Sequence, residues 1–324
     1  MFRRLSATIG LFALCLASNV NGAGLREYYY FFTTETSREI QVMRIDEEGN
    51  VLEQPNVLKG PSDIQGLTVS RNGSGEYVLI TMEENTHRLR RWIFTPPGTV
   101  ADGETITDTS PYDFNLDATG TLPGAIVGSN EGFSRSSYPA IGLSITSIGS
   151  APSADFYNAF NRTGGIVFAS IRRDGSEAVA ASLCCGNPQL LLQRFKPDFT
   201  PHQDPIVVAK TSGSFTPHAV RISDNGSFLV AATGNSGGGI LLYKLDPVTR
   251  QATGSPDFLR TGDLRYYDST QINEDASFCI FTTKAGPGNI CFVRTDGKGH
   301  FVGSPKKLAT VGQNSNYSSM IRAN

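Results

Sequence analysis

Residues Thr216–Pro256 read TPHAVRISDNGSFLVAATGNSGGGILLYKLDPVTRQATGSP, and the predicted fold rests on this stretch. An Asp-Asn-Gly turn and a glycine-rich loop separate three apolar runs, Ala219–Ser223, Phe228–Thr233 and Ile240–Leu245. Short apolar runs bounded by Asn, Gly, Pro and Ser are typical of antiparallel strands joined by tight turns. The stretch therefore predicts three consecutive strands of one antiparallel sheet.

The same unit recurs along the chain. The last residue of the first strand in each unit serves as a marker: Ser70, Asp117, Arg172, Ser223, Asn273 and Arg322. The markers are spaced by about 50 residues, a period that indicates a β-propeller or another repeat array. A weaker fourth strand follows the first three, for example at Pro205–Lys210 and Lys307–Val311. The repeat therefore predicts an all-β propeller of four-stranded antiparallel blades.

The two chain ends complement each other. The sequence stops at Asn324, just after a first strand ends at Arg322, whereas Glu27–Phe32 reads as a second strand without a first. We therefore expect one blade to be closed by the C-terminal strand, which leaves no open sheet edge in the ring. This gives six blades, favoured over seven because the spacing leaves no room for another.

The third unit, residues 112–164, is the least regular. Its second and third strands are predicted at Ala125–Ser129 and Ala140–Ile148, around the loop Glu131–Pro139. A Ser/Ala/Pro-rich tail then delays the next unit. We expect an excursion or a short helix at Asp155–Phe160.

The first 23 residues have the features of a signal peptide. Arg3 and Arg4 precede the apolar run Ile9–Ala17, and small residues end the segment. No later stretch is long and apolar enough to predict a transmembrane segment. Residues 24–324 are then expected to form a single propeller domain, secreted or periplasmic. The net charge of −2 without a basic run argues against nucleic acid as a partner.

The blade pattern resembles a known superfamily. An apolar first strand, S-x-N/D-G, a hydrophobic strand and then LLYKLDPVT at Leu241–Thr249 are similar to WD40/YVTN-like and lactonase-like β-propellers. The likeness covers nearly all of the mature chain, but the Trp-Asp dipeptide of true WD repeats is absent, since Trp92 precedes Ile93. The resemblance implies the fold, and its lactonase-like members imply hydrolysis of a sugar lactone or a related molecule. Fold analogy carries no catalytic residue over to this chain.

The start of each first strand is predicted to lie at one mouth of the central channel. The residues five positions before the markers are Gln65, Tyr112, Val167, His218, Asp268 and Tyr317. All except Val167 can hydrogen-bond, which suits a mouth that holds water, an ion or a small ligand. A wet pore needs polar residues whatever its function, so this pattern alone does not establish a ligand site.

His218 and Asp268 are the candidate catalytic pair. They belong to adjacent blades, so the carboxylate of Asp268 could orient or charge the imidazole of His218. Pro217-His218 also starts a strand, which gives His218 a structural explanation that we prefer. The leading interpretation is an exported non-catalytic recognition or scaffold protein that binds a protein or small ligand on one face. The alternative is a lactonase-like hydrolase acting at the mouth.

Four cysteines remain after removal of the signal peptide. Cys184 and Cys185 are adjacent in a loop, where a vicinal disulfide would distort the peptide between them. Cys279 and Cys291 lie on consecutive strands and are either bonded or simply packed. An exported chain permits disulfides, and pairing between chains or free thiols also explain these residues.

No pattern predicts a cofactor. His-x-His, HExxH and carboxylate clusters at ligand spacing are absent, which argues against a catalytic transition-metal site. Glu83, Glu84 and Asn85 offer oxygen ligands for a structural calcium ion, although we prefer the explanation that they form a solvated loop.

Overall fold

A computed structural model describes most of the chain after residue 23. The described residues are 24–33, 39–58, 64–83, 86, 88–101, 103–108, 114–130, 141–145, 154–160, 166–182, 188–211, 217–233, 238–261, 270–283, 288–311 and 317–323. Within these ranges the regular elements are 25 β-strands and no helix. The predicted signal peptide, residues 1–23, lies outside them.

The strands form six antiparallel sheets, numbered I to VI in chain order. Sheet I contains β1 (Glu27–Thr33), β2 (Ile40–Asp46), β3 (Val51–Val57) and β25 (Ser318–Arg322). Sheet II contains β4 (Ile64–Arg71), β5 (Tyr77–Glu83), β6 (Arg88–Thr95), β7 (Thr99–Val100) and β8 (Glu104–Asp108). Sheet III contains β9 (Phe114–Ala118), β10 (Gly124–Asn130), β11 (Ile141–Ile145) and β12 (Ala154–Asn158).

The other three sheets follow the same order from the first strand to the fourth. Sheet IV contains β13 (Ile166–Ile171), β14 (Glu177–Ser182), β15 (Gln189–Phe195) and β16 (Pro201–Lys210). Sheet V contains β17 (Pro217–Ile222), β18 (Phe228–Thr233), β19 (Gly239–Lys244) and β20 (Asp257–Arg260). Sheet VI contains β21 (Thr270–Ile272), β22 (Phe278–Thr283), β23 (Asn289–Thr295) and β24 (Phe301–Thr310). Five sheets are therefore the four-stranded antiparallel blades of a β-propeller, as predicted.

The sheets stack face to face around a centre. The second strands are the most buried: every residue of β14, β18 and β22 is buried. A strand covered on both faces needs apolar side chains in both directions, which explains why these strands show apolar runs rather than strict alternation. Each apolar core of the described residues lies between two neighbouring sheets.

The first strands of the sheets surround a central channel. β4 contacts β25 on one side and β9 on the other, and the contacts continue from β9 to β13, β17, β21 and back to β25. β25 enters this ring by pairing with β1, where Tyr28 lies opposite Arg322 and Phe32 opposite Ser318. The predicted closure of one blade by the C-terminal strand is therefore confirmed.

One turn recurs after the first strands, and its side-chain chemistry explains the repeated sequence pattern. The Oδ1 atom of Asn225 accepts a hydrogen bond from the backbone N of Ser227 at 2.9 Å. Asp174 does the same for Ser176 at 2.9 Å. The equivalent bonds are Asn72 to Ser74 at 3.1 Å and Asp275 to Ser277 at 3.1 Å. Such Asx turns reverse the chain tightly, so Asn and Asp recur at these positions.

Two sheets differ from the prediction. Residues 155–160 were expected to form an excursion or a short helix, but Ala154–Asn158 is the fourth strand of sheet III and pairs with β11. In sheet II, both β7 and β8 pair with β6, so this sheet has five strands. The extended β6 provides a long enough edge for two short strands, which the repeat spacing alone did not reveal.

Candidate functional site

The predicted channel mouth falls largely outside the part of the chain whose side chains are described. Tyr112 and Asp268 lie outside the described residues, and only the backbone is described for Gln65, Val167 and His218. Each of these three is the extra residue at a register irregularity between the first and second strands of its sheet. Because a β-bulge re-aims one side chain, the shared irregularity marks these positions as equivalent. The proposed ligand and catalytic roles at this mouth stay predictions.

Tyr317 is the one predicted mouth residue whose side chain is described. It is 4% exposed and packs in the apolar core between sheets I and II. Its backbone N donates to Thr33 Oγ1 at 3.2 Å, and its carbonyl accepts from Thr33 N at 3.0 Å. Tyr317 thus helps to join β25 to β1.

The cysteine predictions separate into two parts. Cys184 and Cys185 lie outside the described residues. Cys279 and Cys291 are buried free thiols, and they are not cross-strand partners, because Cys279 lies opposite Val293 and Cys291 opposite Phe281. Burial raises the pKa of the Cys279 thiol well above its ordinary value. These two residues therefore fill the apolar core between sheets V and VI.

The candidate calcium ligands are only partly described. Glu83 accepts hydrogen bonds from Arg90 Nη1 at 3.0 Å and from Thr86 Oγ1 at 2.8 Å. Glu84 and Asn85 lie outside the described residues. Among the side chains that are described, no three His, Cys, Asp or Glu residues come together as metal ligands.

A cavity of about 430 Å³ lies at the opposite end of the channel, where the first strands finish. Polar and charged side chains dominate its lining: Tyr28, Arg71, Asp117, Ser170, Arg173, Arg221, Asp224, Gln271, Asn273, Glu274 and Arg322. This volume is in the range of sites that hold small ligands. The end of the channel that contains this cavity is therefore the candidate functional site.

Asp117 forms the buried polar base of this site. It is 7% exposed, and its Oδ2 atom accepts hydrogen bonds from Ser170 Oγ at 2.6 Å and from Ile171 N at 3.0 Å. Arg221 Nη1 lies 4.0 Å from the same oxygen. A buried carboxylate requires such partners, and the partners here come from β13 and β17. Asp117 thus joins three sheets and already has its charge compensated.

Arg173 crosses the channel from sheet IV to the other side. Its guanidinium donates through Nη1 to the carbonyl oxygen of Val69 at 2.6 Å and through Nη2 to that of Met320. Gly120 leaves room for this path, since a Cβ at Gly120 would lie 3.1 Å from the Cβ of Arg173. The cation is therefore held by neutral carbonyl groups of sheets II and I.

Arg71 and Arg322 lie beside Arg173 at the ends of β4 and β25. Arg71 Nη2 donates to the carbonyl oxygen of Arg322 at 2.9 Å and to the Tyr77 hydroxyl at 3.0 Å. The Arg71 guanidinium also lies over the Tyr77 ring, 4.5 Å from its centroid. Stacking and carbonyl contacts fix the Arg71 side chain without neutralising its charge.

The three arginines at this end of the channel differ from most other arginines of the described chain in their ion pairing. Arg71, Arg173 and Arg322 have no carboxylate within 4.0 Å among the described residues. Eight others each have one: Arg26, Arg44, Arg90, Arg172, Arg194, Arg221, Arg250 and Arg294. Guanidinium groups bind carboxylates and phosphates in a two-point geometry. The trio therefore presents positive charge to the cavity, and the nearby Asp224 carboxylate offsets part of it at Arg173.

The acidic side of the cavity consists of Asp224 and Glu274. Asp224 Oδ1 accepts a hydrogen bond from the backbone N of Arg173 at 3.3 Å. Burial raises the pKa of the Asp224 carboxyl, and the nearby Arg173 only partly opposes this effect. Glu274 Oε1 accepts from the Tyr28 hydroxyl at 2.9 Å and from Arg26 Nη1 at 3.3 Å. The acidic groups can accept hydrogen bonds from a ligand whose anionic part meets the arginines.

The sequence contained a signal for this site. The residues directly after four of the markers are charged: Arg71, Arg173, Asp224 and Glu274, and the marker Arg322 is itself charged. All five line the cavity. We predicted the functional mouth at the start of the first strands, whereas these charged residues lie at the opposite end.

Comparisons with known proteins support the fold. No family model and no curated protein matches the sequence. TolB from Acinetobacter baumannii superposes with a TM-score of 0.59 at 13% identity, over 91% of this chain and 66% of that chain. A nidogen/laminin complex gives 0.61 at 9% identity, over 90% and 98%. A Bacteroides uniformis protein provisionally assigned as a 6-phosphogluconolactonase gives 0.55 at 11% identity, over 91% and 99%.

These identities are low, so the likeness concerns the fold and not the activity. This chain spans about two thirds of the length of the TolB chain, at 66%, and nearly the whole of the other two chains. The fold-level resemblance to lactonase-like and YVTN-type propellers, expected from the blade pattern, is confirmed. The chain is an all-β protein with the arrangement of a β-propeller.

Proposed function

We propose that this protein is an exported, non-catalytic recognition propeller that binds an anionic small ligand, or an anionic group of a protein partner. The binding site is the cavity at the ends of the first strands. The observation that carries the proposal is the absence of an ion pair at Arg71, Arg173 and Arg322 within the described chain, although all three line one cavity. Guanidinium groups without an ion-pair partner favour a bound carboxylate or phosphate.

The remaining polar groups of the cavity support binding rather than turnover. The Ser170 hydroxyl donates to Asp117, and Tyr28 donates to Glu274, so both hydroxyls are held by internal carboxylates. Asp117 and Glu274 in turn connect neighbouring sheets through these hydrogen bonds. The groups that remain for a ligand are the Arg322 guanidinium, the N–H donors of Arg71 and Arg173 that do not bond to carbonyl groups, and the Asp224 carboxylate.

We also propose that sheet II completes a ring of six blades. The contacts between successive first strands, and the apolar cores between successive sheets, support this count. A crystal structure would contradict this count if it showed a further sheet besides sheet III between β8 and β13, or a gap next to sheet II.

Export rests on the predicted signal peptide at residues 1–23. In addition, the described part of the chain contains no helix long and apolar enough to cross a bilayer. Expression of the full chain in a bacterial host checks the proposal: we expect a secreted or periplasmic product that begins near Gly24. Retention of residues 1–23 on the purified protein would contradict cleavage.

The second candidate is a lactonase-like hydrolase that acts at the other mouth through His218 and Asp268. The fold likeness to a provisionally assigned 6-phosphogluconolactonase favours it, together with the bulge position of His218. Unlike the leading proposal, it requires that the substrate is hydrolysed, and it does not involve Arg71, Arg173 or Arg322.

A thermal-shift screen distinguishes the two. The protein lacking residues 1–23 is heated with phosphate, succinate, glucose, gluconolactone or calcium, because a ligand that binds the native state raises its melting temperature. The leading proposal predicts a rise with the anions that is lost in Arg322→Gln and kept in His218→Ala. Hydrolysis of gluconolactone that is lost in His218→Ala would favour the hydrolase instead. No rise with either anion would contradict the leading proposal for these small ligands.

A further inference from the structure

Positive and negative side chains lie on different sides of the cavity at the ends of the first strands. Arg71 ends β4 of sheet II and Arg322 ends β25 of sheet I, and these two strands are neighbours in the ring. Asp224 and Glu274 follow β17 of sheet V and β21 of sheet VI, which are also neighbours. All four residues line the cavity. Its lining is therefore cationic on one side and anionic on the other.

Arg173 belongs to the cationic side, although it follows a strand of sheet IV. Its guanidinium donates to the carbonyl oxygens of Val69 on β4 and Met320 on β25. Its backbone N remains at the acidic side, where it donates to Asp224 Oδ1 at 3.3 Å. The length of one arginine side chain therefore separates the Asp224 carboxylate from the Arg173 guanidinium. A single small molecule is long enough to contact both groups.

Asp224 is the acidic group of the cavity that remains for a ligand. Its side chain is half-buried and forms no ion pair with any residue that the structure describes. Burial raises the pKa of this carboxyl, and the positive charge of Arg173 opposes the effect only in part. A carboxylate that is withdrawn from water requires a compensating partner. The ionised Asp224 is therefore suited to accept a hydrogen bond from a cationic group of a ligand.

Two other polar side chains on this side are already bonded within the protein. Glu274 accepts hydrogen bonds from the Tyr28 hydroxyl at 2.9 Å and from Arg26 Nη1 at 3.3 Å. The side-chain amide of Gln271 donates to the carbonyl oxygen of Ser318 at 2.7 Å. These contacts hold both side chains in internal bonds between sheets VI and I. Asp224 is therefore the side chain that we assign to a ligand cation.

We infer that the cavity selects an amino dicarboxylate, a small molecule with one ammonium group and two carboxylates. This inference rests on the proposed anion site and specifies its ligand. The ammonium group donates to Asp224, and the carboxylates meet the guanidiniums of Arg71, Arg173 and Arg322. Three guanidiniums without ion pairs outnumber one such carboxylate, so the ligand carries more negative than positive charge. A plain anion would leave Asp224 uncompensated, so charge complementarity favours the amino compound.

Aspartate and succinate are the matched probes, because both are four-carbon dicarboxylates and they differ by one ammonium group. Succinate, phosphate and each enantiomer of aspartate are titrated calorimetrically into the protein lacking residues 1–23. We expect one enantiomer of aspartate to bind about tenfold more tightly than succinate, which is the effect of one charge-assisted hydrogen bond. Arg322→Gln should weaken the binding of both dicarboxylates, because both use the guanidiniums.

Asp224→Asn tests the assigned contact, because it keeps an acceptor for the backbone N of Arg173 but loses the negative charge. It should weaken aspartate binding about tenfold and leave succinate binding unchanged or stronger. Glu48→Gln is the matched control. It also removes one negative charge, but Glu48 lies outside the cavity lining, is 48% exposed and pairs with Arg294. This control should keep the preference for aspartate.

Two results would overturn the inference and leave the proposed anion site standing. In the first, succinate or phosphate binds, and neither enantiomer of aspartate binds more tightly than succinate. In the second, the preference for aspartate survives in Asp224→Asn. Absence of binding of all these probes to the folded wild type would overturn the anion site as well. Aspartate binding that is unchanged in Arg322→Gln would place the ligand elsewhere and would also overturn both.

Discussion

Arg173 Nη1 donates a hydrogen bond of 2.6 Å to the carbonyl oxygen of Val69, which lies 104 residues earlier in the chain and two sheets away. The same guanidinium reaches Met320 on sheet I. One side chain from sheet IV thus connects to both sheets on the far side of the channel. It fixes the shape of the mouth and places a positive charge there without a carboxylate partner.

Replacing Arg173 by Met is expected to lower the free energy of unfolding by about 1–3 kcal/mol, because two charge-assisted hydrogen bonds across the channel are lost. Urea denaturation measures the change. The control is Arg294→Met, whose side chain is 52% exposed and pairs with Glu48 at 3.4 Å; an exposed pair contributes about 0–1 kcal/mol. Equal losses in the two variants would show that the cross-channel contacts contribute no more to the free energy of unfolding than an exposed ion pair.

Replacing Asp117 by Ala is expected to lower the free energy of unfolding by about 3 kcal/mol, because the Ser170 hydroxyl and the Ile171 N–H lose their acceptor and Arg221 loses its ion pair with Asp117. Asp117→Asn keeps one acceptor oxygen, so its loss should be smaller. Both changes can be measured by chemical denaturation. If Asp117→Ala were as stable as the wild type, Asp117 would not be a joint between sheets.

The burial of Asp224 predicts that the stability of the protein depends on pH. Burial raises the pKa of this carboxyl in the folded protein above its ordinary value of 3.8, so the folded state binds its proton more tightly than the unfolded state. The stability contribution of this group therefore falls as the pH rises through the folded pKa. Asp224→Asn should melt at a higher temperature than the wild type at pH 7, and the difference should shrink towards pH 4.

Asp296→Asn is the control of opposite sign. Backbone N–H groups, that of His300 first, lower the pKa of the exposed Asp296 carboxyl below 3.8, so its stabilising contribution is present at pH 7 and is lost as the pH falls through the folded pKa. Asp296→Asn should therefore melt at a lower temperature than the wild type at pH 7. The same sign for both variants would contradict the assigned environments.

The thiols of Cys279 and Cys291 are predicted to be unreactive in the folded protein. Both are buried, and burial raises the pKa of each thiol, so little of the reactive thiolate forms at pH 8. In a Cys184→Ser/Cys185→Ser chain lacking residues 1–23, Ellman's reagent should detect both thiols in guanidinium chloride and none under native conditions. Rapid reaction of the folded chain would contradict their burial.

The fold was predictable because its signal is local and repeated. The Asx turns at Asn72, Asp174, Asn225 and Asp275 need particular side chains, so the period of the ring is visible in the sequence. The pairing of β1 with β25 followed from the complementary chain ends. The fifth strand of sheet II was not predictable, since β7 has only two residues and β8 pairs with a separate part of the same β6 edge.

The candidate site depends on contacts across the channel. These contacts do not recur at the spacing of the repeat, so the sequence pattern does not reveal them. The charged residues after the markers were visible, but Arg71 and Arg173 converge only because Arg173 reaches over Gly120 towards Val69. Likewise, the carboxylate that pairs with an arginine can be near in the chain, as Glu83 is to Arg90, or in another sheet, as Asp117 is to Arg221. The sequence therefore indicated charge at this end of the strands without indicating which of these charged groups form ion pairs.

The measurement that tests the central proposal most directly is calorimetric titration of the protein lacking residues 1–23 with phosphate and with succinate. The wild type is compared with Arg71→Met/Arg322→Met, and Arg294→Met serves as the control. We expect at least one anion to bind in the cavity at the ends of the first strands. Its affinity should be at least tenfold lower in the double variant and unchanged in the control. Equal affinity in the double variant and the wild type, with both proteins folded, would contradict an anion site built from these arginines.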